Sequence, residues 1–362
     1  MTKNSSGEFE SRRQLLRQIW KEARIDALLI TALPNVRYLS GFTGSNAMLL
    51  ITSDRDLLFT DPRYQAQAPR ESDCDVKIAK GPLTKEVLKW AKRLGIRRLG
   101  FEKTRISFAH YRALKEDEAG LRLVAVTGAP EKLRMVKSAA EVEAIQASVD
   151  LNSRAFEEGF QHFQPSMTEV ELAAEIDYRM RRLGADSNAF ATIVASGERT
   201  ALPHAHPGGH AIERNQLLLI DMGATVAGYA SDMTRTRAVG TVSAKLRGMY
   251  RAVLESQLAA IDAVRPGVPC SRVDAAAREV LRGHGLDKSF IHSTGHGLGL
   301  EIHEDPRLGR KEKTKLAAGM AITIEPGVYI EGLGGIRIED TVVVTPNGCQ
   351  VLTPTGKDLV AL

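Results

Sequence analysis

Cysteine, aromatic residues and long apolar runs are all scarce in this sequence of 362 residues. Its three cysteines, Cys74, Cys270 and Cys349, are scattered and form no CxxC pair, which argues against a disulfide framework, a zinc ribbon or a thioredoxin-like site. No apolar run approaches the ~18 residues of a membrane-spanning helix, and the first residues are polar where a signal peptide would be apolar. We therefore expect a cytoplasmic protein without a membrane partner.

The excess of positive charge is small and dispersed. Lys and Arg number 49 against 44 Asp and Glu, a net charge of +5. The densest basic segment contains an acidic residue and no interleaved aromatic residue, so we interpret it as a solvent-exposed loop. It comprises Arg307, Arg310, Lys311, Lys313 and Lys315. We therefore expect no nucleic-acid partner.

The first third of the chain alternates short helices with short apolar strands, a pattern typical of an α/β domain. A helix is predicted from Leu83 to Leu94, where Gly95 ends it. Three strands are predicted at Leu28–Thr31, Met48–Thr52 and Asp56–Thr60. We predict an amino-terminal domain of residues 1–131 and a second domain of residues 132–362.

The second domain twice shows a pair of helices followed by strands. Two capping boxes predict the starts of the first helix pair, Ser138 with Glu141 and Thr168 with Glu171. The other pair is predicted at Ala244–Val264 and Ser271–Gly283. Strands are predicted at Ala191–Val194, Leu217–Asp221, Ala230–Val239, Ala321–Glu325 and Ile336–Val344. The fold class is therefore α/β of the mixed α+β type, with two similar half-domains facing each other.

Two aspartates lie on neighbouring strands in LLLIDMGATVAGYASDMTRT. Asp221 ends a buried strand, and Asp232 follows eleven residues later. If the turn is centred between residues 226 and 227, the two carboxylates face each other with Cβ atoms ~5 Å apart. Buried like charges are costly, so a shared proton, a basic partner or a metal must neutralise them. The basic candidates nearby are Arg235 and Arg237.

Two further acidic residues and a histidine join this pattern. Glu325 ends an apolar strand in MAITIEPGVYI, and Glu339 lies within another in GGIRIED. Between the halves, STGHGLGLEIHEDP places His296 and His303 seven residues apart. Their glycine neighbours make a helix improbable, which excludes the helical HExxH zinc site. A single histidine in such a setting is more often structural than a ligand.

Taken together, five residues offer four carboxylates, one imidazole and no thiolate. They are Asp221, Asp232, His296, Glu325 and Glu339. Two divalent cations would balance the four carboxylates, and the oxygen-rich set favours Mn²⁺, with Co²⁺ or Zn²⁺ as alternatives. A two-metal site of this kind supports hydrolysis at a carbonyl or phosphoryl centre.

The ordered motifs DMGATVAGYASDMTRT, HSTGHGLGLEIHE, IEPGVYI and GGIRIED resemble those of the pita-bread metallopeptidases, most closely the Xaa-Pro aminopeptidases and the Xaa-Pro dipeptidases or prolidases. NVRYLSGFTGS and FTDPRYQAQA, within the first 70 residues, resemble the creatinase-type domain that accompanies that catalytic domain. The resemblance implies a carboxy-terminal pita-bread domain of two pseudo-repeated halves, two metal ions per subunit, a peptide substrate and a homodimer.

The resemblance also implies a role for each residue of the set. Asp232 and Glu339 would bridge the two metals, and Asp221 would chelate one of them. His296 and Glu325 would bind the other, and Glu325 would also accept a proton near the metals.

Five more residues match family positions around the substrate. His204 would contact the substrate beside the metals, and His303 would stabilise negative charge on the carbonyl oxygen. Three residues would line the substrate pocket: His292, Tyr329 and Arg337. Arg337 lies two residues from Glu339 and could instead be its ion-pair partner.

The favoured function is removal of the first residue from peptides with proline in second place, an Xaa-Pro aminopeptidase. Proline requires a dedicated enzyme because its tertiary amide has no N–H for a general aminopeptidase to bind. The alternative is an Xaa-Pro dipeptidase restricted to dipeptides. Methionine aminopeptidase is less favoured because it usually lacks the amino-terminal domain. A non-enzymatic binding module would have no need for five ligands, and a serine hydrolase would require a GxSxG motif that is absent.

Overall fold

The computed structural model describes residues 6–20, 23–116, 120–164 and 166–362. The chain divides into two compact units, Met1–Arg134 and Met135–Leu362. Our boundary after residue 131 stays a prediction. None of the helices described is long and apolar enough to cross a bilayer.

The first unit is built on a six-stranded mixed sheet with the strand order β4-β3-β2-β1-β5-β6. Its strands are β1 Ala27–Ile30, β2 Ala47–Thr52, β3 Asp56–Thr60, β4 Asp75–Ile78, β5 Arg98–Glu102 and β6 Arg122–Val126. Its helices are α1 Ser6–Trp20, α2 Leu33–Ser40, α3 Ala68–Glu71, α4 Leu83–Arg93, α5 Phe108–Glu116 and α6 Ala129–Arg134. Every residue of β1 and β2 is buried, as the continuous apolar runs predict for strands covered on both faces. The three predicted strands and the predicted α4 are confirmed to within a residue or two.

In the second unit, the two predicted helix pairs are confirmed. They are α7 Ala139–Phe160 with α8 Glu169–Leu183, and α9 Ala244–Asp262 with α10 Cys270–Gly283. Both capping boxes form. The Ser138 and Thr168 side chains each accept a hydrogen bond from the amide of the glutamate three residues later, and the side chain of that glutamate accepts one from the amide of the capping residue. Gly184 ends α8 in the left-handed conformation. Local sequence thus determines these helix ends.

Strands follow each helix pair, so the predicted repeat is confirmed. The first set is β7 Ser187–Asn188, β8 Ile193–Ser196, β9 Gln216–Met222, β10 Ala224–Val226, β11 Tyr229–Ala230 and β12 Met233–Val239. The second set is β13 Gly295–Gly297, β14 Glu304–Leu308, β15 Ala321–Ile324, β16 Gly327–Ile330, β17 Gly334–Arg337, β18 Asp340–Thr345 and β19 Gly348–Val351. The main sheets have the orders β12-β9-β8 and β14-β13-β15-β18-β19. The two sets meet where the Glu339 amide donates to the Thr234 carbonyl.

The predicted pairing of Asp221 with Asp232 is wrong by two residues. Asp221 on β9 faces Thr234 on β12. The turn falls at Ala227–Gly228, where both residues have positive φ (49° and 78°), the backbone of a tight hairpin turn. Because side chains alternate with a period of two, a shift of two residues keeps both carboxylates on the same face of the sheet. The acids therefore still converge, on a diagonal.

Three predicted strands break or end beside acidic residues. The strand predicted over Ala230–Val239 is interrupted at residues 231–232, and the one over Ile336–Val344 at residues 338–339. Residues 325–326 separate β15 from β16. Asp232, Glu339 and Glu325 therefore sit at irregular backbone, which allows each side chain to leave the regular alternation of the sheet.

Candidate metal centre

The centre of the second unit holds a cluster of acidic side chains around one imidazole. Asp232, His296 and Glu339 each place one potential ligand atom within 4.8 Å of the others. The His296 Nε2 atom lies 3.5 Å from an oxygen of Asp232 and 3.5 Å from an oxygen of Glu325. Strand β13, the segment before β12 and the segments after β15 and β17 thus bring four of the five predicted residues together.

Glycines on either side of His296 allow β13 to approach its neighbours closely. A Cβ at Gly295 would lie 1.9 Å from the Thr323 carbonyl oxygen, and one at Gly297 2.3 Å from that of Asp305. The His296 Nδ1–H donates to the Gly297 carbonyl at 3.0 Å. Burial lowers the pKa of His296 to about 4, so the ring is neutral. Its Nε2 lone pair therefore faces the acids as a metal ligand requires.

The carboxylates of the cluster resist ionisation without a counter-charge. Burial, together with the charges of neighbouring acids, raises the pKa of Asp232 and of Glu339 well above the ordinary range. Burial also raises the pKa of Glu325 to about 7, against the opposing effect of Arg337. Deprotonation of all three at neutral pH therefore requires additional positive charge.

Asp221 has a basic partner, but neither of the two predicted. Arg337 Nη2 donates to Asp221 Oδ2 at 2.5 Å, and both side chains are largely buried. Arg235 pairs with Asp340, and Arg237 lies 3.7 Å from Glu157. Arg337, which we considered as an ion-pair partner of Glu339, therefore bonds to Asp221 instead. This contact joins the two halves of the unit.

The positive charge of Arg337 is too small to balance the four carboxylates of the cluster. Of the four carboxylates, only Asp221 is bonded to a guanidinium within the described part of the chain, and its buried Oδ1 has no hydrogen-bond partner there. A buried acceptor without a partner is costly unless something else binds it. The donor set, the neutral imidazole and this orphan oxygen together fit divalent cations.

A hydrogen-bonded chain links the cluster to the predicted substrate residues. Arg337 Nη1 donates to the Tyr329 hydroxyl at 2.7 Å, and that hydroxyl lies 2.9 Å from His292 Nε2. The His292 Nδ1 atom bonds the Ser293 carbonyl, and burial lowers the pKa of His292 to about 4. The neutral ring therefore accepts from Tyr329, and Arg278 holds the His292 carbonyl from α10. Arg337, which is buried, thus connects Asp221 of the cluster to Tyr329 and His292.

The remaining predicted residues lie on the exposed side of the cluster. The His303 ring packs edge-on against His296 with centroids 4.4 Å apart, and partial burial lowers its pKa although solvent reaches part of the ring. His204 is exposed and follows Pro203, whose carbonyl accepts from Arg337 Nη1 at 3.3 Å. The structure thus places both histidines beside the cluster.

Sequence reasoning missed Arg307. We interpreted it as part of a basic loop, whereas it lies on β14 and only the residues after it form a loop. It is exposed and is the register partner of His296 on β13, so it lies on the same face of the sheet as the cluster's imidazole. The position of Arg307 four residues after His303 was the available signal.

Two threonines were also missed. Thr234 donates to Glu339 Oε2 at 2.7 Å, and the Thr323 hydroxyl lies 3.3 Å from Glu325 Oε1 while accepting from the His296 amide. Both are fully buried. Each lies two residues from a predicted ligand, Thr234 after Asp232 and Thr323 before Glu325, and that spacing was the signal.

Buried carboxylates and one neutral imidazole at the junction of two half-sheets define a metal-dependent hydrolase. The model of metallopeptidase family M24 matches residues 143–346, and that of the Creatinase/Prolidase N-terminal domain matches residues 12–136. The chain belongs to metallopeptidase family M24. It is a metallo-exopeptidase with the pita-bread fold, and membership implies that it binds divalent metal.

The relatives include both kinds of proline-directed peptidase. The Xaa-Pro dipeptidase of Pyrococcus furiosus is 37% identical over 353 residues, covering 97% of this chain and 100% of the relative. The structure of an Xaa-Pro dipeptidase from Bacillus anthracis is similar with a TM-score of 0.95 and 39% identity, covering 98% of this chain and 100% of that one. An X-Pro aminopeptidase from Thermotoga maritima is similar with a TM-score of 0.89 and 37% identity, covering 93% and 98%.

Proposed function

We propose that this chain is an Xaa-Pro dipeptidase that uses two divalent ions, Mn²⁺ in the first instance. The observation that carries the proposal is the convergence of four carboxylates on one neutral imidazole, with an exposed guanidinium beside them. This reverses our preference for an aminopeptidase, because the relatives from Pyrococcus furiosus and Bacillus anthracis are named dipeptidases. The aminopeptidase becomes the alternative.

In this proposal, five residues hold the ions: Asp221, Asp232, His296, Glu325 and Glu339. By the family resemblance Asp232 and Glu339 would be shared by the two ions, and the raised pKa of both buried carboxyls fits this need for positive charge. When bound, the ions would lower the pKa of a water molecule to about 7 and so supply hydroxide at neutral pH. Glu325 accepts a proton, His204 contacts the substrate, and the pocket is lined by His292, Tyr329 and Arg337.

The exposed guanidinium of Arg307 supports the choice of a dipeptide. A dipeptide ends in a free carboxylate one residue beyond the scissile bond, whereas a longer peptide has a neutral amide there. Arg307 on β14 is the register partner of His296 on β13, so the two side chains lie on the same face of the sheet. A cation at that position favours a substrate with a carboxylate near the reacting carbonyl.

A comparison of Met-Pro, Met-Pro-Ala and Met-Pro-amide tests this choice. We expect Met-Pro to be hydrolysed fastest, and Arg307→Gln to raise the KM for Met-Pro about 10- to 100-fold, because a hydrogen bond to a charged group is worth ~1.5–3 kcal/mol. The KM for Met-Pro-amide should change little. Steady-state kinetics with Mn²⁺-loaded protein give all three values.

Arg310→Gln is the matched control, because Arg310 is an exposed arginine in the loop after β14. It should leave all three KM values unchanged. Equal or faster cleavage of Met-Pro-Ala would instead favour the aminopeptidase, and an unchanged KM for Met-Pro in Arg307→Gln would refute the role of Arg307.

Replacement of His303 by Gln separates catalysis from metal binding. We propose that this exposed imidazole donates a hydrogen bond to the substrate carbonyl oxygen as negative charge develops there. Loss of one such donor typically costs 10²–10³-fold in kcat. We therefore expect kcat to fall by about that factor while the metal content, measured by elemental analysis after dialysis, stays at the wild-type value. Parallel loss of metal would mean that His303 is a ligand.

Two further parts of the proposal concern the cellular compartment and the oligomeric state. The three cysteines are free, which is compatible with a reducing compartment such as the cytoplasm. A homodimer is proposed from the family resemblance, and sedimentation analysis of the purified protein tests it.

A further inference from the structure

A completely buried arginine lies directly behind the acid cluster. Arg235, on β12, is 1% exposed, and all five of its N–H donors have partners. Nη1 donates to the carbonyls of Thr234 and Glu339, and Nη2 to the carbonyl of Thr355 and to Asp340 Oδ1 at 2.8 Å. Nε donates to the Gly356 carbonyl at 3.1 Å. Four of these five bonds go to the main chain.

These bonds complete a three-point attachment of Glu339. Its amide donates to the Thr234 carbonyl, and its Oε2 accepts from the Thr234 hydroxyl. Arg235 binds the remaining main-chain group, the carbonyl oxygen. Glu339 lies at the break between β17 and β18, where its amide bonds to β12 but its carbonyl oxygen is bonded by Arg235 rather than by a strand amide. Arg235 therefore substitutes for the missing strand contact.

The Arg235 guanidinium is itself fixed by a buried polar network around Asp340. Asp340, which follows Glu339, is fully buried, and its Oδ2 accepts from Gln257 at 2.9 Å and from Lys357 Nζ at 2.7 Å. Lys357 also donates to the Gln257 side chain. Residues from β12, β18, α9 and the carboxy-terminal segment thus form one polar network, whose ionic members are Arg235, Asp340 and Lys357.

We infer that Arg235 is a positioning residue for the metal centre: it fixes the backbone of Glu339 and so holds the Glu339 carboxylate in the acid cluster, where it would bind metal. This inference rests on the proposed function. Its chemistry is specific to arginine, because a lysine has three donors and cannot bind the carbonyls of Thr355, Gly356 and Glu339 together with Asp340. Groups that orient a metal ligand typically contribute 10- to 100-fold to metal affinity.

Arg235→Lys tests the inference at constant charge. Mn²⁺ is titrated into the full-length, chelator-treated protein by calorimetry, at a temperature where circular dichroism shows the variant to be folded. We expect the affinity of at least one site to fall about 10- to 100-fold. The expected cause is a mobile Glu339, which a crystal structure of the metal-free variant would show directly.

Arg13→Lys is the matched control. Arg13 in the first unit is also buried, and it makes four hydrogen bonds, to Asp56, to Asp73 twice and to the Leu39 carbonyl. Its replacement should lower the thermal stability without changing the affinity for Mn²⁺. An equal loss of affinity in both variants would show a general effect of stability and overturn the inference.

Lys357→Met provides a second test if Arg235→Lys does not fold. Lys357 is partly exposed, at 22% of its side chain, and removing it takes one positive charge away. Electrostatics alone would then strengthen the binding of a cation, whereas a loosened network would weaken it. We expect weakening, and tighter or equal binding would overturn the inference. Failure of the wild-type protein to bind Mn²⁺ would refute the proposed function itself.

Discussion

Replacement of Asp232 by Asn is expected to abolish metal-dependent hydrolysis while leaving the metal-free protein at least as stable as the wild type. Asp232 is 5% exposed, and burial and the charges of Glu339 and Asp221 raise its pKa. A neutral amide of the same shape stays neutral without taking up a proton, but it cannot replace a carboxylate as a ligand of two cations. Metal catalysis contributes several kcal/mol, so kcat/KM for Met-Pro should fall by about 10³-fold or more. Steady-state kinetics and urea unfolding measure the two effects.

Asp177→Asn is the control for this prediction. Asp177 on α8 is also partly buried with a raised pKa, and it accepts from Thr192 at 2.6 Å outside the acid cluster. It should keep wild-type kcat/KM and metal content. An Asp232→Asn variant with more than a tenth of wild-type activity would contradict the two-metal interpretation.

The metal-free protein should lose stability as the pH rises from 6.5 to 8. The pKa of Glu325 is raised to about 7 and those of Asp232 and Glu339 are raised well above the ordinary range, chiefly because burial disfavours the charged form. The folded protein therefore holds protons that the unfolded chain has released, so the free energy of unfolding falls by about 1.4 kcal/mol per pH unit for each such proton. Urea unfolding in the presence of a chelator measures the slope.

The histidines oppose this trend at the lower end of the pH window. Burial lowers the pKa of His292 and His296 to about 4, so they add stability as the pH rises through the unfolded pKa of 6.5, and this contribution fades above about pH 7.5. Saturating Mn²⁺ should flatten or reverse the slope, since metal binding releases these protons. Asp232→Asn should reduce the slope by about one proton. A metal-free protein equally stable at pH 6.5 and pH 8 would contradict the picture of protonated carboxyls.

The parts of the fold that depend on local chemistry could be predicted from the sequence. Both capping boxes form where Ser138 and Thr168 stand, because the bonds involved span only three residues. The acids of the site were identifiable because an acidic residue beside an apolar strand is unusual enough to require an explanation. The repeat of a helix pair followed by strands could also be predicted, because helices and strands space their apolar residues with different periods.

Long-range contacts could not be predicted. The partner of Asp221 is Arg337, 116 residues away in the chain, and no spacing rule distinguishes it from the closer Arg235 and Arg237. The hairpin turn was misplaced because Ala227 adopts a positive φ that alanine rarely shows. Arg307 was assigned to a loop because charge density alone does not indicate which of several basic residues faces a site.

The most direct test of the two-metal interpretation is the number of ions that each chain binds. Chelator-treated protein, reloaded with excess Mn²⁺ and freed of unbound metal, should contain two ions per chain by elemental analysis and recover hydrolysis of Met-Pro in proportion to occupancy. A protein that binds no divalent ion, or that cleaves Met-Pro equally well after chelation, would contradict the account.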